Sequence, residues 1–140
     1  MEWAALISWI VTAAGGFVLL GLWLQHGGRR LTEPGRRIKP PLIFSHFGLA
    51  ATGLVLWIIY VFNDSDVLAW IAFAILVVVA LIGWTMFAIW WQRRQARAAG
   101  ASASMTEVPA EQSFPVPIVT LHGLLAVTTV VLVFLAAIGV

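Results

Sequence analysis

Four long stretches of uncharged, mostly apolar sequence determine what this chain can fold into. They cover residues 3–24, 41–62, 67–91 and 115–140, and none contains Asp, Glu, Lys or Arg. A hydrocarbon core of about 30 Å needs about 20 apolar helical residues, so each stretch is long enough to cross a membrane. Because lipid offers the backbone no hydrogen-bond partners, each span must be helical. The sequence therefore predicts an all-α fold: a single transmembrane domain, 1–140, that forms an integral membrane four-helix bundle of up-down-up-down topology.

Composition agrees with this prediction and excludes several kinds of site. Hydrophobic residues make up 61% of the chain and charged residues only 10%, which is unlike an ordinary soluble domain. Cysteine is absent, which excludes structural disulfides, thiolate-bound zinc and iron–sulfur clusters. All six acidic residues lie outside the four stretches, which argues against hydrolytic chemistry and against a carboxylate-driven transporter. Any bound metal must be held by histidine or by oxygen.

The charges between the stretches predict the orientation of the chain in the membrane. Residues 25–40 carry five cations against one acidic residue, and residues 92–114 begin with three arginines, whereas the turn at 63–66 contains two aspartates. By the positive-inside rule, 25–40 and 92–114 are cytoplasmic loops and both termini lie on the non-cytoplasmic side. We therefore predict a multi-pass protein of a cell membrane, with a bacterial inner membrane as the simplest assignment.

Two further expectations follow from this orientation. Amphipathic indole rings anchor helices at membrane surfaces, so Trp3 and Trp70 are predicted at the outer interface and Trp23, Trp90 and Trp91 at the inner one. The long segment 92–114 is predicted to be a mobile loop, with an arginine-rich start that extends the third helix before Gly100.

The second and fourth stretches contain matching positions, which indicates a duplication. Proline, histidine, alanine and threonine coincide without a gap, as Pro41, His46, Ala50 and Thr52 in one and Pro117, His122, Ala126 and Thr128 in the other. Each histidine follows its proline by five residues, which places both imidazoles about 7 to 8 Å inside the cytoplasmic end of a helix. The first and third stretches match more weakly. We interpret the chain as a duplicated helical hairpin, whose pseudo-twofold axis makes His46 and His122 face each other.

The two histidines are the candidate metal ligands. In an up-down-up-down bundle the second and fourth helices are diagonal, so their axes are roughly 14 Å apart when neighbours are about 10 Å apart. This distance is too long for direct imidazole contact and unsuitable for a bare zinc ion, but a flat macrocycle with central iron would fill it. The candidate partners for the carboxylates of such a macrocycle are the cytoplasmic arginines Arg29, Arg30, Arg93 and Arg94.

With histidines from two helices in matched settings, the chain resembles the small four-helix bis-histidine membrane b-type cytochromes. The resemblance implies one non-covalent haem b between the second and fourth helices near the cytoplasmic face, with His46 and His122 as axial ligands. It also implies electron transfer with a quinone or a redox partner protein, as an oxidoreductase or as the electron-carrying subunit of one. Such families often hold two haems, but no histidine here lies in the outer half of any span, so one haem is expected.

Other interpretations of the same residues stay open. A histidine inside a membrane helix is often an interhelical hydrogen-bonding residue, and duplication would copy a structural residue as readily as a ligand. The shortage of polar chemistry fits a cofactor-free accessory subunit, packed into a homo- or hetero-oligomer, and the duplicated hairpin is a weak indication of a small transporter. His26 lies at the predicted end of the first helix, where it is either a capping residue or a proton-delivery or quinone-contacting group.

Overall fold

Four long helices make up most of the computed structural model, which describes residues 1–29, 38–100 and 108–140. They are α1 (Glu2–Gln25), α2 (Pro40–Asn63), α3 (Asp66–Ala98) and α4 (Val116–Ala137), and a short 3-10 helix, Ala110–Ser113, precedes α4. All four are long and apolar enough to cross a membrane. The predicted all-α, four-helix membrane fold is therefore confirmed, and these three ranges contain no strand.

The helices begin and end close to the predicted bounds except at the end of α3. This helix continues past Trp91 to Ala98 and stops before Gly100, whose φ of +79° ends the helical conformation. Glutamine, arginine and alanine favour helix, and Arg97 in the last turn interacts well with the helix dipole. The predicted extension of the third helix by the arginine-rich start of 92–114 is therefore confirmed. The prediction of a loop is wrong for Ala110–Ser113, which form the 3-10 helix, and residues 101–107 lie outside the described ranges.

The four helices form two extensively packed pairs. α2 packs mainly against α3, to which it is joined by only Asp64 and Ser65, and α1 packs mainly against α4. The contacts of α3 with α4 and of α1 with α2 are smaller. Within the described ranges, α1 does not approach α3 and α2 does not approach α4 at close backbone distance. The two histidine-bearing helices, α2 and α4, are therefore not packed directly against each other.

One half of the bundle contains a closely packed apolar core, which we call the core cluster. All four helices contribute to it, with Ala5, Leu6, Trp9, Trp57, Tyr60, Ala69, Ala72, Leu76, Val133 and Ala136. The indoles of Trp9 and Trp57 lie 6.5 Å apart at its centre, and Trp57 is fully buried. This half is held by the dense packing of large and small side chains that is usual in protein interiors.

Hydroxyl groups add hydrogen bonds between α1 and α4 at the edge of the core cluster. The hydroxyl oxygen of Thr129 lies 2.8 Å from that of Ser8 and 3.0 Å from that of Thr12. Thr12 and Thr129 are both buried, so these groups need protein partners. The network therefore joins the two helices next to the level of the histidines, since the carbonyl oxygen of Thr12 also lies 3.0 Å from Nδ1 of His122.

The other half of the bundle is packed quite differently. No residue is buried in 13–22 of α1, 40–52 of α2, 80–89 of α3 or 116–128 of α4. We call these four stretches the open layer. The side chains of the open layer are therefore less buried than those of the core cluster.

Buried tryptophans mark the far boundary of the open layer. Trp23 and Trp90 are each only 1% exposed, so the prediction that they anchor the helices at a membrane interface is wrong. Both side chains point into the bundle, where the 3-10 helix packs against α1 and α3. Trp3, Trp70 and Trp91 are exposed, in agreement with surface positions.

Gly53 and Gly48 of α2 provide a matched test of packing beside the core cluster. A Cβ at position 53 would lie 3.0 Å from ring atoms of Trp9 and 3.2 Å from Cγ2 of Ile75, whereas a Cβ at position 48 would meet nothing within 4 Å. Crowding a packed core costs about 1–3 kcal/mol, and alanine in place of glycine favours a helix by about 1 kcal/mol. We expect Gly53→Ala to lower the thermal unfolding midpoint in detergent and Gly48→Ala to preserve or raise it. Equal midpoints would contradict the close approach of Trp9 to Gly53.

Candidate functional site

His46 of α2 and His122 of α4 meet inside the open layer. Their ring centroids are 6.4 Å apart, and the ring planes make an angle of 66°. The expectation that the imidazoles are too far apart for direct contact is wrong, because both side chains extend toward the bundle axis from helices that do not touch. The predicted pairing of the two histidines agrees with this geometry.

Each imidazole is held by a hydrogen bond to a backbone carbonyl of another helix. Nδ1 of His46 lies 3.1 Å from the carbonyl oxygen of Val79 in α3, and Nδ1 of His122 lies 3.0 Å from that of Thr12 in α1. A carbonyl oxygen only accepts, so Nδ1 of each ring must donate. In the neutral imidazole this leaves Nε2 with an unshared electron pair, which is the atom available to a metal.

A glycine lies one turn after each of these carbonyls. Gly16 follows Thr12 by four residues and Gly83 follows Val79 by four residues. A Cβ at either glycine would lie 3.2 Å from Cε1 of the histidine bonded to that turn. Side chains on a helix tilt toward its N-terminus, so a larger residue would cover the carbonyl one turn earlier. The glycines therefore leave both carbonyl oxygens accessible to the imidazoles.

The candidate arginines lie toward the same end of the bundle as the 3-10 helix. Arg29 is exposed, with its guanidinium 6.0 Å from the ring of Phe44, and Arg94 is exposed over the indole of Trp90 at 5.7 Å. Arg93 is half-buried. Arg30 lies outside the described residues. None of the described arginines is in contact with the imidazole pair, so a role for them requires a ligand that extends beyond the histidines.

Two buried N–H groups at this end have no hydrogen-bond partner: Nε1 of Trp90 and Nε of Arg93. Leaving a buried donor unpaired costs about 1–3 kcal/mol, and such groups are rare in native proteins. Trp90 and Arg93 are three residues apart on α3, so their side chains lie on neighbouring positions of one helix face. These donors are the only buried unpaired side-chain groups in the described parts of the chain.

The 3-10 helix closes the same end of the bundle through polar contacts. Oε1 of Glu111 accepts a hydrogen bond of 3.1 Å from the backbone N–H of Ile38, and the Glu111 side chain is only 1% exposed. The side-chain amide of Gln112 donates to the carbonyl oxygen of Trp90 at 3.5 Å. The segments that precede α2 and α4 are thus tied to each other and to the end of α3.

His26 does not join the histidine pair. It is exposed at the C-cap of α1, where its Nδ1 lies 2.8 Å from the carbonyl oxygen of Leu22 in its own helix. The positive φ of Gly27 follows it, which is usual just after a helix end. This geometry is that of a capping residue; the alternative proton-delivery or quinone-contacting role stays a prediction.

The sequence analysis did not identify several features of the site, although the sequence contains a signal for two of them. The carbonyls of Thr12 and Val79 carry no side-chain signature, but glycine and tryptophan follow each of them at matching intervals, as Thr12, Gly16, Trp23 and Val79, Gly83, Trp90. An alignment of α1 with α3 at this spacing would have drawn attention to both turns. The unpaired N–H of Trp90 and the buried Glu111 have no counterpart in any sequence pattern.

The described residues contain few grouped side chains that could hold a metal ion. Within residues 1–29, 38–100 and 108–140, no group of three or more histidine, aspartate or glutamate side chains is placed to hold a metal ion. The imidazole pair contains two ring nitrogens, one Nε2 on each histidine, that are not engaged by the carbonyl hydrogen bonds. Comparisons with protein-family models, with curated proteins and with solved structures found no match to this chain.

The hydrogen bonds of the two histidines predict their tautomers. In alkaline buffer, without added ligand, His46 and His122 are expected to carry the proton on Nδ1, because a carbonyl oxygen can only accept. Nitrogen-15 spectra of histidine-labelled protein in lipid bilayers, assigned with His46→Gln and His122→Gln variants, will identify the protonated nitrogen. A proton on Nε2 of either ring would contradict the corresponding hydrogen bond.

Proposed function

We propose that this protein is a membrane electron-transfer protein that binds one b-type haem between α2 and α4, with His46 and His122 as its axial ligands. The observation that carries the proposal is the pair of imidazoles whose centroids lie 6.4 Å apart, each held by a backbone carbonyl, in a layer that contains no buried residue. The protein would act as the electron-carrying part of an oxidoreductase, and its exchange partner would be a quinone or a redox protein.

The spacing of the rings supports ligation of a single metal. Two imidazoles that bind one metal from opposite sides have ring centroids about 6.2 Å apart, because the metal–nitrogen bond is about 2.0 Å and the centroid lies about 1.1 Å behind the nitrogen. The separation between His46 and His122 is 6.4 Å. The rings could therefore bind a shared metal without a large movement of α2 or α4.

The hydrogen bonds to Val79 and Thr12 support the same assignment. Histidines that ligate metals almost always donate their other ring N–H to a carbonyl or a carboxylate, which fixes the ring orientation and raises the basicity of the ligating nitrogen. Here both Nδ1 atoms are bonded to carbonyls, at 3.1 and 3.0 Å. A purely structural histidine needs only one such bond, but here two neighbouring rings each keep an unprotonated Nε2, which is the atom that a metal would bind.

The open layer supports the size of the proposed cofactor. A macrocycle needs space on all sides of the metal, and in the four stretches of the open layer none of the helices buries a residue. The core cluster closes this layer on one side, and the buried Trp23 and Trp90 close it on the other. The absence of buried residues at this level supports a ligand larger than a bare metal ion.

When bound, the haem would supply one-electron chemistry, and the role of the protein residues is to hold and insulate it. His46 and His122 would keep the coordination fixed through their carbonyl partners, so that little reorganisation accompanies electron transfer. The apolar walls of the open layer would exclude water and thereby tune the reduction potential. We assign no catalytic residue, because no acid–base group of the described residues touches the pair.

We further propose that the four helices alternate in direction and derive from a duplicated hairpin. The reciprocal bonding supports this, because His46 of the first hairpin bonds to Val79 of the second, and His122 of the second bonds to Thr12 of the first. The contacts of the 3-10 helix support alternation, since they join the starts of α2 and α4 to the end of α3. With the positive-inside rule, this end is cytoplasmic and both termini are non-cytoplasmic.

Optical spectra of the detergent-purified protein, expressed with haem available, test the proposed function. We expect sharp reduced bands of six-coordinate b-type haem at about one haem per chain, since two histidines occupy both axial positions. His46→Ala and His122→Ala should each abolish the six-coordinate spectrum and lower haem content at least several-fold. His26→Ala is the control, because His26 lies outside the pair and should leave the spectrum unchanged.

Two outcomes would contradict the proposal. Unchanged haem content in both His46→Ala and His122→Ala would exclude these residues as ligands. A colourless, folded wild-type protein would make the pair an interhelical hydrogen-bonding device, and stoichiometric partners in such a preparation would support the accessory-subunit alternative.

The absence of cysteine allows a direct test of the orientation. Ser65→Cys places a thiol between α2 and α3, and Ala99→Cys places one just after α3. Because the arginine-rich end should be cytoplasmic, a membrane-impermeant maleimide added to intact cells should label Ser65→Cys and should label Ala99→Cys only after lysis. The reverse pattern would invert the assignment of both termini.

A further inference from the structure

We infer that the indole Nε1–H of Trp90 and the Nε–H of Arg93 bind an oxyanion at the end of the open layer, and that this oxyanion is a carboxylate of the haem. The inference rests on the proposed function and extends it, because it names the residues that set which edge of the cofactor points toward the 3-10 helix. Trp90 was expected only as a membrane anchor, so this role is new to it.

The first step is the burial of two donors that no group in the described part of the chain satisfies. Trp90 is 1% exposed, and both its Nε1 and the Nε of Arg93 are buried without a hydrogen-bond partner. Indole and guanidinium nitrogens donate and do not accept, so only an acceptor can satisfy them. A carboxylate or phosphate oxygen is the acceptor that pairs best with a guanidinium.

The second step is that the covering segment is engaged elsewhere. The 3-10 helix lies against this end of α3, but the side-chain amide of Gln112 donates to the carbonyl of Trp90 and so offers nothing to its indole N–H. Oε1 of Glu111 accepts from the backbone of Ile38. Residues 1–29, 38–100 and 108–140 thus supply no acceptor for Trp90 or Arg93, and we assign that acceptor to a bound ligand.

The third step is the position of the donors relative to the imidazole pair. Trp90 follows Gly83 by seven residues, which is two helical turns, so both lie on the same face of α3 about 10 Å apart along the axis. Gly83 is the glycine whose Cβ would touch the ring of His46. The unpaired donors thus lie at the boundary of the layer in which the proposed haem would sit, within the reach of carboxylates on its edge.

The fourth step is that the corresponding place on α1 differs. Trp23 follows Gly16 by the same seven residues and is equally buried, but Gly28 packs so closely on its ring that even a Cβ there would clash. The nitrogen of Trp23 is not among the buried unpaired groups. The two halves of the bundle are therefore unequal, and the carboxylate edge is assigned to the α3 side.

The test compares haem with a form of haem that lacks carboxylates. The full chain, purified without haem in a phosphate-free detergent, is titrated with haemin and with haemin dimethyl ester while the absorption spectrum is followed. We expect Trp90→Phe and Arg93→Gln each to weaken haemin binding about tenfold, the effect of losing one hydrogen bond to a charged group, and to leave binding of the ester unchanged.

Two matched variants serve as controls. Trp91→Phe removes an indole from the exposed position next to Trp90, and Arg97→Gln removes the same charge from an exposed position of the same helix. Both should bind haemin and the ester as the wild type does. If either control weakened haemin as strongly as its partner variant, the specific assignment to Trp90 or Arg93 would be overturned.

The remaining outcomes separate this inference from the proposed function. If the wild type forms six-coordinate haem but Trp90→Phe and Arg93→Gln bind haemin normally, or lose haemin and the ester equally, the carboxylate contact is wrong and the haem site stands. If the effect of Trp90→Phe appears only after phosphatidylglycerol is added, the oxyanion is a lipid phosphate, which also overturns the inference. A wild type that binds neither compound overturns both proposals.

Discussion

Two hydrogen bonds from histidine to backbone carbonyl connect the four helices at the level where apolar packing does not. His46 links α2 to α3, and His122 links α4 to α1, so each bond reinforces one of the two extensively packed helix pairs. The bonds require the glycines one turn after each carbonyl, because a side chain at Gly16 or Gly83 would crowd the imidazole. Each bond also makes Nδ1 the protonated nitrogen of its ring, which leaves Nε2 with an unshared electron pair when the imidazole is neutral.

The two halves of the bundle differ in how their side chains are packed. In the core cluster, large indoles and small alanines fill the interior, and the Ser8, Thr12 and Thr129 hydroxyls join α1 to α4. In the open layer no residue is buried, and the four helices are joined there by the hydrogen bonds of His46 and His122. Close packing in the core cluster therefore supplies most of the apolar burial of the bundle.

The end of the bundle beside the 3-10 helix breaks the approximate symmetry of the two hairpins. Trp23 is covered by Gly28, whereas Trp90 keeps an unpaired N–H next to that of Arg93 and lies under a segment whose Glu111 is buried. A duplication alone would make the two sides equivalent. The inequality means that a ligand in the open layer would meet donors on one side only, so the end of the bundle would select its orientation as well as close it.

The sequence by itself determined the four helices, because uncharged stretches of this length have one stable conformation in lipid, and it determined the pairing of His46 with His122 through their matched settings. It did not determine which apolar side chains face inward: Trp23 and Trp90 were expected at the membrane surface, since in a span that is apolar on every face hydropathy does not distinguish core from lipid. Only the tertiary structure decided the 6.4 Å between the imidazoles, the carbonyls of Thr12 and Val79 that hold them, and the unpaired donors of Trp90 and Arg93. These depend on how helices distant in sequence pack together, and backbone acceptors are the same at every residue, so no residue pattern specifies them.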